Sequence, residues 1–378
     1  MDKKERFHLL LSGDFPPIPG GESRFFSNLF FFLPTPNKAV ITPFVRGAQE
    51  IDGSFPFTVR RIHLGRNKLL KLLAPLIYFY YIFSFKNKKP LIHCAQVMIP
   101  GMAGLLTKFF LGFPYVVYPH GAEFLKYIHF PLKVILKMIL KNADKIITNS
   151  YYTTSHVKKL GIPKNRIIQT LLGVDTKKFY PSQPDAEISK KYGLKGKKII
   201  ITVCRLIERK GVDMVISALP RVLQTVPEAV FLIVGSGEDK ERLEEIAREK
   251  GVRDKVIFAG NVSDEILVGL LNLSTLYAMP SREMLDKAMV EGFGISYIEA
   301  SACGKPVIGG RSGGVSDAVI DGLTGILVNP EDVNEIAQKI IALANNKELA
   351  EKLGKQGLER VRKELSMEKI AYQLCERL

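Results

Sequence analysis

The sequence predicts an α/β protein of two domains, each built on a doubly wound parallel sheet. Its 378 residues exceed the size at which a single hydrophobic core is usual. Short apolar runs alternate with longer helical patterns along the whole chain, and this alternation indicates parallel strands joined by helices. A composition of 46% hydrophobic and 24% charged residues excludes wholesale disorder. Because ligands of such sheets bind at the carboxyl ends of the strands, we expect loops of both domains to face a common cleft.

The individual elements follow from apolar runs bounded by turn residues. In the first half, strands are predicted at 7–11, 38–41, 91–95, 115–118 and 145–148, and helices at 21–33, 103–110 and 131–141. In the second half, strands are predicted at 199–203, 230–234, 256–259, 276–279, 306–309 and 325–327. The helices of that half are predicted at 212–225, 240–250, 297–302 and 333–344.

The domain limits follow from a change of composition in the middle of the chain. Residues 181–198 contain two prolines, two glycines and five lysines, a composition typical of a linker. The predicted domains are therefore 1–180 and 199–360. A final helix over 361–378 is expected after the second domain, with packing against the first domain as an option.

The formal charge of +16 is concentrated in the first half of the chain. Up to Ser182 there are 26 basic and 9 acidic residues, whereas the remainder has 28 and 29. Such an excess attracts anionic partners over long range. Nucleic acid is a weak candidate, because no nucleic-acid-binding motif is present and the aromatic residues lie in apolar runs. An anionic membrane surface or an anionic substrate is the preferred interpretation.

Two segments of the basic half bear on membrane contact. The longest apolar run, 69–85, is interrupted by a lysine and a proline and is shorter than the ~20 residues of a spanning helix. A buried helix is favoured, and a basic aromatic helix at a membrane surface is the alternative. At 131–145 an apolar face lies beside lysines that recur every four residues, namely Lys133, Lys137, Lys141 and Lys145. An ordinary surface helix explains them most simply, but together the two segments make peripheral binding to anionic lipid a reasonable expectation.

The cysteine pattern and the start of the chain bear on location. Four widely spaced cysteines form no CxxC pair, so we expect neither a metal-binding motif nor a disulfide framework. The first apolar run is too short for the core of a signal peptide. The expected location is the cytoplasm, with peripheral attachment to the inner face of the plasma membrane as an extension of that expectation.

Two loops at predicted strand ends carry features of anion binding. The first ends in Gly20 and Gly21 directly before a helix, where free backbone N–H groups can approach an anion, although a plain turn explains these residues equally well. In the second half, Arg205 and Lys210 lie five positions apart across a strand-to-helix turn. Both cations can reach one diphosphate near the helix N-terminus. Two solvated charges are the alternative, but the position at a strand's carboxyl end favours ligand binding.

The most informative stretch contains two carboxylates, Glu291 and Glu299, separated by seven residues. Glycines follow the first carboxylate, and an apolar helix surrounds the second. A glycine-rich entry to a helix creates an anion site of backbone N–H groups. Glu291 in the loop can accept hydrogen bonds from sugar hydroxyls, and Glu299 can hold a ribose diol. A buried glutamate needs such partners, because an unpaired carboxylate in the interior is costly.

In their order along the chain, these stretches resemble the retaining glycosyltransferases of family 4, which have the GT-B fold. The resemblance covers nearly the whole chain and rests on 14–21, 120–123, 173–175, Arg205 with 210–211, 291–299, 302–308 and 312–314. It implies two Rossmann-like domains facing across a cleft. The amino-acid sequence of 291–308 and 310–314 is most similar to that of bacterial mannosyltransferases that act on phosphatidylinositol mannosides. The implied function is transfer of a hexose, of mannose or glucose type, from a nucleotide-diphosphate sugar to a lipid-linked or glycan acceptor in cell-envelope or polysaccharide biosynthesis.

The resemblance also implies roles for individual residues. The donor diphosphate would be bound by Arg205 and Lys210, helped by Gly20, Gly21, Phe293, Gly294 and Ile295. Glu299 would bind the ribose, Glu291 the transferred sugar, and Asn261 with Val262 the base. His120 would contact the sugar near the reacting carbon, so that His120 and Glu291 are the catalytic candidates. No metal or cofactor is implied, since the GDP- or UDP-linked sugar is itself a substrate.

Alternatives to transfer remain at this point. A nucleotide-sugar epimerase or hydrolase of the same fold shares the donor residues, and a dinucleotide oxidoreductase is weaker because the glycine fingerprint at 235–237 is incomplete. Residues 281–290 form a longer connection than is usual before the first glutamate of the motif. That segment weakens any inference about the identity of the sugar. The sequence leaves the base, the acceptor, the linkage and the oligomeric state open.

Overall fold

A computed structural model describes residues 5–64 and 72–378 of the protein. The chain divides into two compact units. Unit 1 comprises the chain up to Leu172 together with the C-terminal segment Met367–Leu378, and unit 2 comprises Gly173–Ser366. Each unit has its own parallel sheet and its own hydrophobic core. The two doubly wound α/β domains predicted from the sequence are thus confirmed.

The sheet of unit 1 contains, within the described residues, seven strands in the order β3-β2-β1-β4-β5-β6-β7. All neighbouring strands are parallel. The strands are β1 His8–Leu11, β2 Lys38–Pro43, β3 Thr58–Ile62, β4 Leu91–Cys94, β5 Tyr115–Val117, β6 Lys145–Thr148 and β7 Ile167–Gln169. The helices are α1 Gly21–Phe32, α2 Ala48–Asp52, α3 Ala74–Phe83, α4 Ile99–Leu111, α5 Glu123–Lys126, α6 Leu132–Asn142, α7 Tyr151–Lys159 and, from the C-terminal segment, α16 Met367–Arg377.

The core of unit 1 explains why its central strands read as continuous apolar runs. Every residue of β1 and β4 is buried, because helices cover both faces of a parallel sheet. Leu9 of β1 is in register with Ala39 of β2 and Ile92 of β4. The C-terminal helix α16 packs against α1 and so belongs to this core layer.

The sheet of unit 2 contains, in the order β10-β9-β8-β11-β12-β13, six strands that are also parallel. They are β8 Lys198–Val203, β9 Ala229–Val234, β10 Val256–Gly260, β11 Leu276–Met279, β12 Val307–Gly310 and β13 Ile326–Val328. The helices are α8 Ala186–Lys191, α9 Val212–Thr225, α10 Lys240–Glu249, α11 Asp264–Leu273, α12 Ile295–Ala302, α13 Val315–Ala318, α14 Val333–Asn345 and α15 Lys347–Glu364. One cluster that includes Val215, Phe231 and Ile336 joins α9, β9 and α14 into a common core.

The structure differs from the sequence prediction at several positions. Two edge strands of unit 1, β3 and β7, were not predicted. The segment expected as a linker, 181–198, carries α8, which packs on α11, and the boundary between the units lies after Leu172. The helix predicted over 361–378 is the end of α15 followed by α16.

The long apolar run 69–85 is only partly described, since 65–71 lie outside the described residues. Its described part forms α3, in which Ala74, Tyr78 and Ile82 face the core. Leu76 and Tyr80 of the same helix are exposed. In the described part of the chain, no helix combines the length and the apolar character needed to cross a bilayer.

Candidate active site

The strand order locates one candidate ligand site in each unit. In doubly wound sheets, ligands bind where the strand order reverses, at the carboxyl ends of the strands. In unit 1 this point lies between β1 and β4, and in unit 2 between β8 and β11. The loop after β1 ends at Gly20, directly before Gly21, the first residue of α1, and the loop after β8 contains Arg205 and Lys210. The predicted anion-binding loops therefore lie at the two positions that the topology favours.

The centre of the site in unit 2 is the carboxylate of Glu291, which lies in the connection between β11 and α12. Its Oε2 atom accepts hydrogen bonds from Arg209 Nη1, at 2.7 Å, and from Lys210 Nζ. All three side chains are largely buried, with exposed fractions of 10% for Glu291, 12% for Lys210 and 19% for Arg209. Two of the predicted donor ligands, Lys210 and Glu291, thus touch each other, and a third residue that the sequence analysis did not select joins them.

Electrostatics keep Glu291 ionised. Burial by itself would raise the pKa of this carboxyl group, but Arg209 and Lys210 outweigh that effect and lower the pKa to about 2. Glu291 is therefore an acceptor of hydrogen bonds at neutral pH, as sugar hydroxyls require. The cluster carries one net positive charge.

The turn that presents Lys210 is fixed by close packing against the end of β11. Residues Glu208–Lys210 form one turn of 3₁₀-helix, and Gly211 ends that turn with a φ of +70°. A Cβ atom on Gly211 would lie 2.1 Å from the carbonyl oxygen of Pro280. This position therefore requires glycine, both for its backbone conformation and for the close approach of Pro280.

A buried ion pair also anchors this turn. Arg282 donates from Nη2 to Asp213 Oδ2 at 2.8 Å, and its backbone N–H donates to the carbonyl of Arg209 at 2.8 Å. Arg282 and Asp213 are only 9% and 8% exposed. Asp213 lies in the first turn of α9, where the helix dipole favours a carboxylate. Arg242, which is more exposed, contacts the same carboxylate at 3.4 Å.

The long connection 281–290 is organised by these contacts. Met284 and Met289 form an antiparallel bridge, and Lys287 pairs with Glu208 of the 3₁₀ turn. The segment that departs from the usual motif therefore packs on the loop that carries Arg209 and Lys210.

The N-terminus of α12 follows Glu291 directly. Gly294 is its N-cap, with a φ of +91°, and a Cβ atom there would lie 2.4 Å from the ring of Tyr297. Gly294 has no side chain to cap this end, so the first backbone N–H groups of the helix, beginning at Ile295, donate no hydrogen bond to a side chain of the cap residue. Phe293 is buried beside it. Glu299 lies in the following turn of α12 and is 3% exposed.

Three other predicted residues of unit 2 lie in loops at the same edge of the sheet. Arg205 is exposed just beyond β8. Asn261 and Val262 follow β10, with Asn261 exposed and Val262 half-buried. Contacts that would join these three to the Glu291 cluster are not found among the described residues. Their predicted roles stay predictions.

In unit 1, His120 follows β5 and is held from two sides. Its Nε2 atom lies 2.8 Å from the carbonyl oxygen of Ala95, and its backbone N–H donates to the carboxylate of Glu123. Glu22 Oε2 lies 3.9 Å from Nε2. Burial lowers the pKa of His120, but Glu22 and Glu123 outweigh it and the net shift is upward. The raised pKa favours a positively charged imidazole near the start of α1, where Glu22 lies.

Gln96 is a residue of this site that sequence reasoning missed. Its Oε1 accepts from the backbone N–H of Gly13 at 2.8 Å, and its Nε2 donates to Glu22 at 3.1 Å. It therefore ties the loop after β1 to the start of α1. Its position in the loop after β4 could have identified it from the sequence, because β4 lies at the point where the strand order reverses. Gly20 itself is the N-cap of α1, and neither Gly20 nor Gly21 is buried.

Across residues 5–64 and 72–378, no three side chains among His, Cys, Asp and Glu converge as a metal site would require.

Two parallel-sheet units, each with a predicted anion-binding loop at its switch point, have the architecture of the doubly wound α/β class. Comparison with known proteins specifies the family. The family described as "Glycosyl transferases group 1" matches residues 184–360, and "Glycosyltransferase Family 4" matches residues 39–178. The chain belongs to this glycosyltransferase family. The prediction of a family-4 glycosyltransferase, a hexosyltransferase by enzyme class, is confirmed.

Individual relatives and structures agree with that assignment. The chain is 33% identical over 344 residues to a GDP-mannose-dependent alpha-(1-6)-phosphatidylinositol monomannoside mannosyltransferase of Mycolicibacterium smegmatis, covering 88% of this chain and 87% of the relative. The GDP-mannose-dependent monoacylated alpha-(1-6)-phosphatidylinositol monomannoside mannosyltransferase of Corynebacterium glutamicum is 36% identical over 199 residues, about half of each chain. Sucrose-phosphate synthase of Thermosynechococcus elongatus superposes with a TM-score of 0.84 at 25% identity, and Anabaena HepE with 0.83 at 19%, each over 98% of both chains. The GT-B fold is thereby confirmed.

Proposed function

We propose that this enzyme transfers mannose, with retention of configuration, from GDP-mannose to a lipid-linked acceptor at a membrane surface. The observation that carries the proposal is the cluster of Arg209, Lys210 and Glu291 at the switch point of unit 2. Its cations can bind a diphosphate, and its ionised carboxylate can accept hydrogen bonds from sugar hydroxyls. These groups contact one another. The GDP-mannose dependence of the relatives supports the choice of donor.

The proposed chemistry assigns charge stabilisation to side chains and a helix end. As the bond between the sugar and the diphosphate breaks, negative charge develops on the leaving oxygen. Lys210, Arg205 and the uncapped N-terminus of α12 would stabilise that charge. Glu291 would hold the sugar hydroxyls and Glu299 the ribose, while His120 of unit 1 would contact the sugar. The acceptor hydroxyl would lose its proton to the departing phosphate, so that attack occurs on the face that the leaving group vacates.

Donor binding provides the direct test. Lys210→Ala and Glu299→Ala should fold normally but lose GDP-mannose binding in isothermal titration calorimetry. Lys240→Ala is the matched control, because Lys240 is an exposed lysine of the same unit that pairs with Glu244 across one helical turn. Intact turnover in both site variants would refute the donor assignment. Because the proposal involves no metal, turnover should survive exhaustive chelation with EDTA.

We also propose that unit 1 binds anionic lipid. Helix α6 exposes Lys133 and Lys137 beside Val134 and Met138, and Phe130 just before it is 84% exposed. Lys145, the fourth lysine of the predicted stripe, starts β6 and is not part of this face. Large exposed apolar side chains next to lysines are the surface pattern of proteins that insert between lipid head groups.

A second exposed apolar group of unit 1 supports the same proposal. Helices α3 and α4 pack together, and Phe79 of α3 contacts Phe110 of α4 with ring centroids 5.8 Å apart. Leu76 and Tyr80 are exposed beside them, and Phe109 is 81% exposed. The acceptor proposed above, a lipid, would be met at such a surface.

Vesicle flotation separates this proposal from a purely soluble function. The protein should float with phosphatidylcholine vesicles that contain phosphatidylglycerol and stay behind with phosphatidylcholine alone. Replacing Lys133 and Lys137 together by glutamate should abolish flotation, whereas the same change at Lys190 and Lys191, two exposed lysines of unit 2, should not. Equal flotation with both vesicle types would exclude electrostatic attachment.

A further inference from the structure

The chemistry proposed so far gives Arg209 no role of its own, although its Nη1 atom lies 2.7 Å from Glu291 Oε2. Its guanidinium and the Lys210 ammonium share a single carboxylate oxygen. A diphosphate can use only a cation that is free to turn toward it. One of the two cations must therefore remain behind, or Glu291 would be left buried without a counter-charge.

We propose that Arg209 is the resident counter-ion of Glu291, which keeps the carboxylate ionised and in place while Lys210 turns to the donor diphosphate. Arg209 is thus a positioning residue that acts through Glu291. The inference rests on the proposed function, since it takes Lys210 as a diphosphate ligand and Glu291 as a sugar ligand.

The backbone of the turn favours Arg209 as the cation that stays. The Arg209 carbonyl accepts a hydrogen bond from the backbone N–H of Arg282, whose side chain is fixed on Asp213. A guanidinium is planar, always charged and suited to a carboxylate, whereas an ammonium is a point charge on a flexible stem. Lys210 can leave Glu291 by rotating its side chain, with no change in the backbone of the turn.

The net charge of the cluster also supports the assignment of Arg209 to Glu291 and of Lys210 to the diphosphate. With both cations present, the cluster has one net positive charge, and exposed Arg205 at the same loop adds a second. A nucleoside diphosphate carries a similar amount of negative charge. Without Arg209 the cluster would be a neutral pair of Lys210 and Glu291, and the diphosphate would have to compete with Glu291 for the lysine.

The proposal predicts a proton linkage that a merely structural arginine would not produce. When Lys210 leaves Glu291 in an Arg209→Gln variant, the buried carboxylate has no cation and takes up a proton. Two further titratable groups, Tyr297 and Cys204, interact electrostatically with the cluster. Burial raises the pKa of both, that of Cys204 to about 11, so neither titrates near neutral pH.

The experiment is calorimetric titration of GDP-mannose at pH 6.5 in buffers of different ionisation enthalpy, which counts the protons taken up on binding. Proton uptake is counted relative to wild type, because His120, whose pKa is raised by Glu22 and Glu123, can also exchange a proton on binding. Arg209→Lys should match wild type. Arg209→Gln should bind roughly tenfold to a hundredfold more weakly and take up close to one proton. Lys210→Gln should also bind weakly, but without uptake, because Arg209 remains on Glu291. Arg248→Gln, at an exposed arginine paired with Glu245, is the matched control and should behave as wild type.

The outcomes separate the two proposals. If wild type binds neither GDP nor GDP-mannose, the proposed function fails. If wild type binds but Arg209→Gln shows no uptake, the inference fails and the function stands. Should Arg209→Gln not fold, the other two variants decide, because proton uptake by Lys210→Gln or by Arg209→Lys overturns the assignment of Arg209.

Discussion

Removing Arg282 or Asp213 from their buried ion pair should destabilise the protein by different amounts. Both residues are buried, and the closest atoms of their side chains are 2.8 Å apart. Asp213→Asn removes the carboxylate and leaves Arg282 with only Glu208, at 3.7 Å, as a counter-charge. Arg282→Met leaves Asp213 with Arg242 at 3.4 Å and with the N-terminus of α9.

The expected magnitudes follow from this asymmetry. Breaking a buried pair so that one charge is uncompensated costs about 3–5 kcal/mol, and Asp213→Asn should fall in that range. Arg282→Met keeps a compensated carboxylate and should cost about 1–2 kcal/mol. The double variant Asp213→Leu with Arg282→Met removes both charges, and it should be more stable than Asp213→Asn alone, because a buried pair replaced by apolar side chains is often neutral.

Urea denaturation followed by far-UV circular dichroism measures these free energies of unfolding, since the protein has no tryptophan for fluorescence. The transition of unit 2 is the one to analyse. Glu245→Gln, which removes the exposed partner of Arg248 in the same unit, serves as the control and should leave the free energy of unfolding nearly unchanged. The reasoning is refuted if Asp213→Asn is within 1 kcal/mol of wild type, or if Arg282→Met costs more than Asp213→Asn.

Three further predictions test other parts of the site. Glu291 has its pKa lowered from 4.5 to about 2, so its ion pairs stabilise unit 2 fully above pH 4.5 and lose about 3 kcal/mol as the pH falls toward 2; acid unfolding of Glu291→Gln should lack this loss. Gly211→Ala should cost at least about 2 kcal/mol more in urea melts than Gly193→Ala, because both have positive φ but only Gly211 has a backbone oxygen in the way; equal costs would contradict the packing argument. Glu22→Gln should lower the pKa of His120 in an NMR titration, since the Glu22 carboxylate is one cause of its raised value; an unchanged titration curve would exclude that cause.

The central strands could be predicted from the sequence because burial on both faces makes them continuous apolar runs. Edge strands lack that signal. In β3 only Ile62 is buried outright, while Arg60 and Arg61 occupy adjacent positions, and β7 is three residues long. The helix α8 was hidden for a related reason, since its polar sequence contains none of the buried residues that would reveal a helical period.

The candidate site was predictable residue by residue but not as a set of contacts. Lys210 and Glu291 each stand in a recognisable motif at a strand end, yet 81 positions separate them in the chain. Their contact depends on the pairing of β8 with β11, which no local pattern specifies. Arg209 was missed because two adjacent loop residues normally point in different directions, and only the 3₁₀ turn ending at Gly211 brings both onto one carboxylate.

The excess positive charge of the first half and the cations of the donor site therefore answer different physical requirements. Unit 2 is nearly neutral in net charge, so its affinity for a diphosphate must come from cations at the site itself, chiefly those that Glu291 holds. Such buried pairs are little affected by salt. The lysines of α6 are solvent-exposed and unneutralised by neighbouring carboxylates on their own helix, so their attraction to an anionic surface is long-ranged and is screened at high ionic strength. Raising the salt concentration should accordingly weaken vesicle binding much more than GDP-mannose affinity, because the Glu291 cluster is buried whereas the lysines of α6 are exposed.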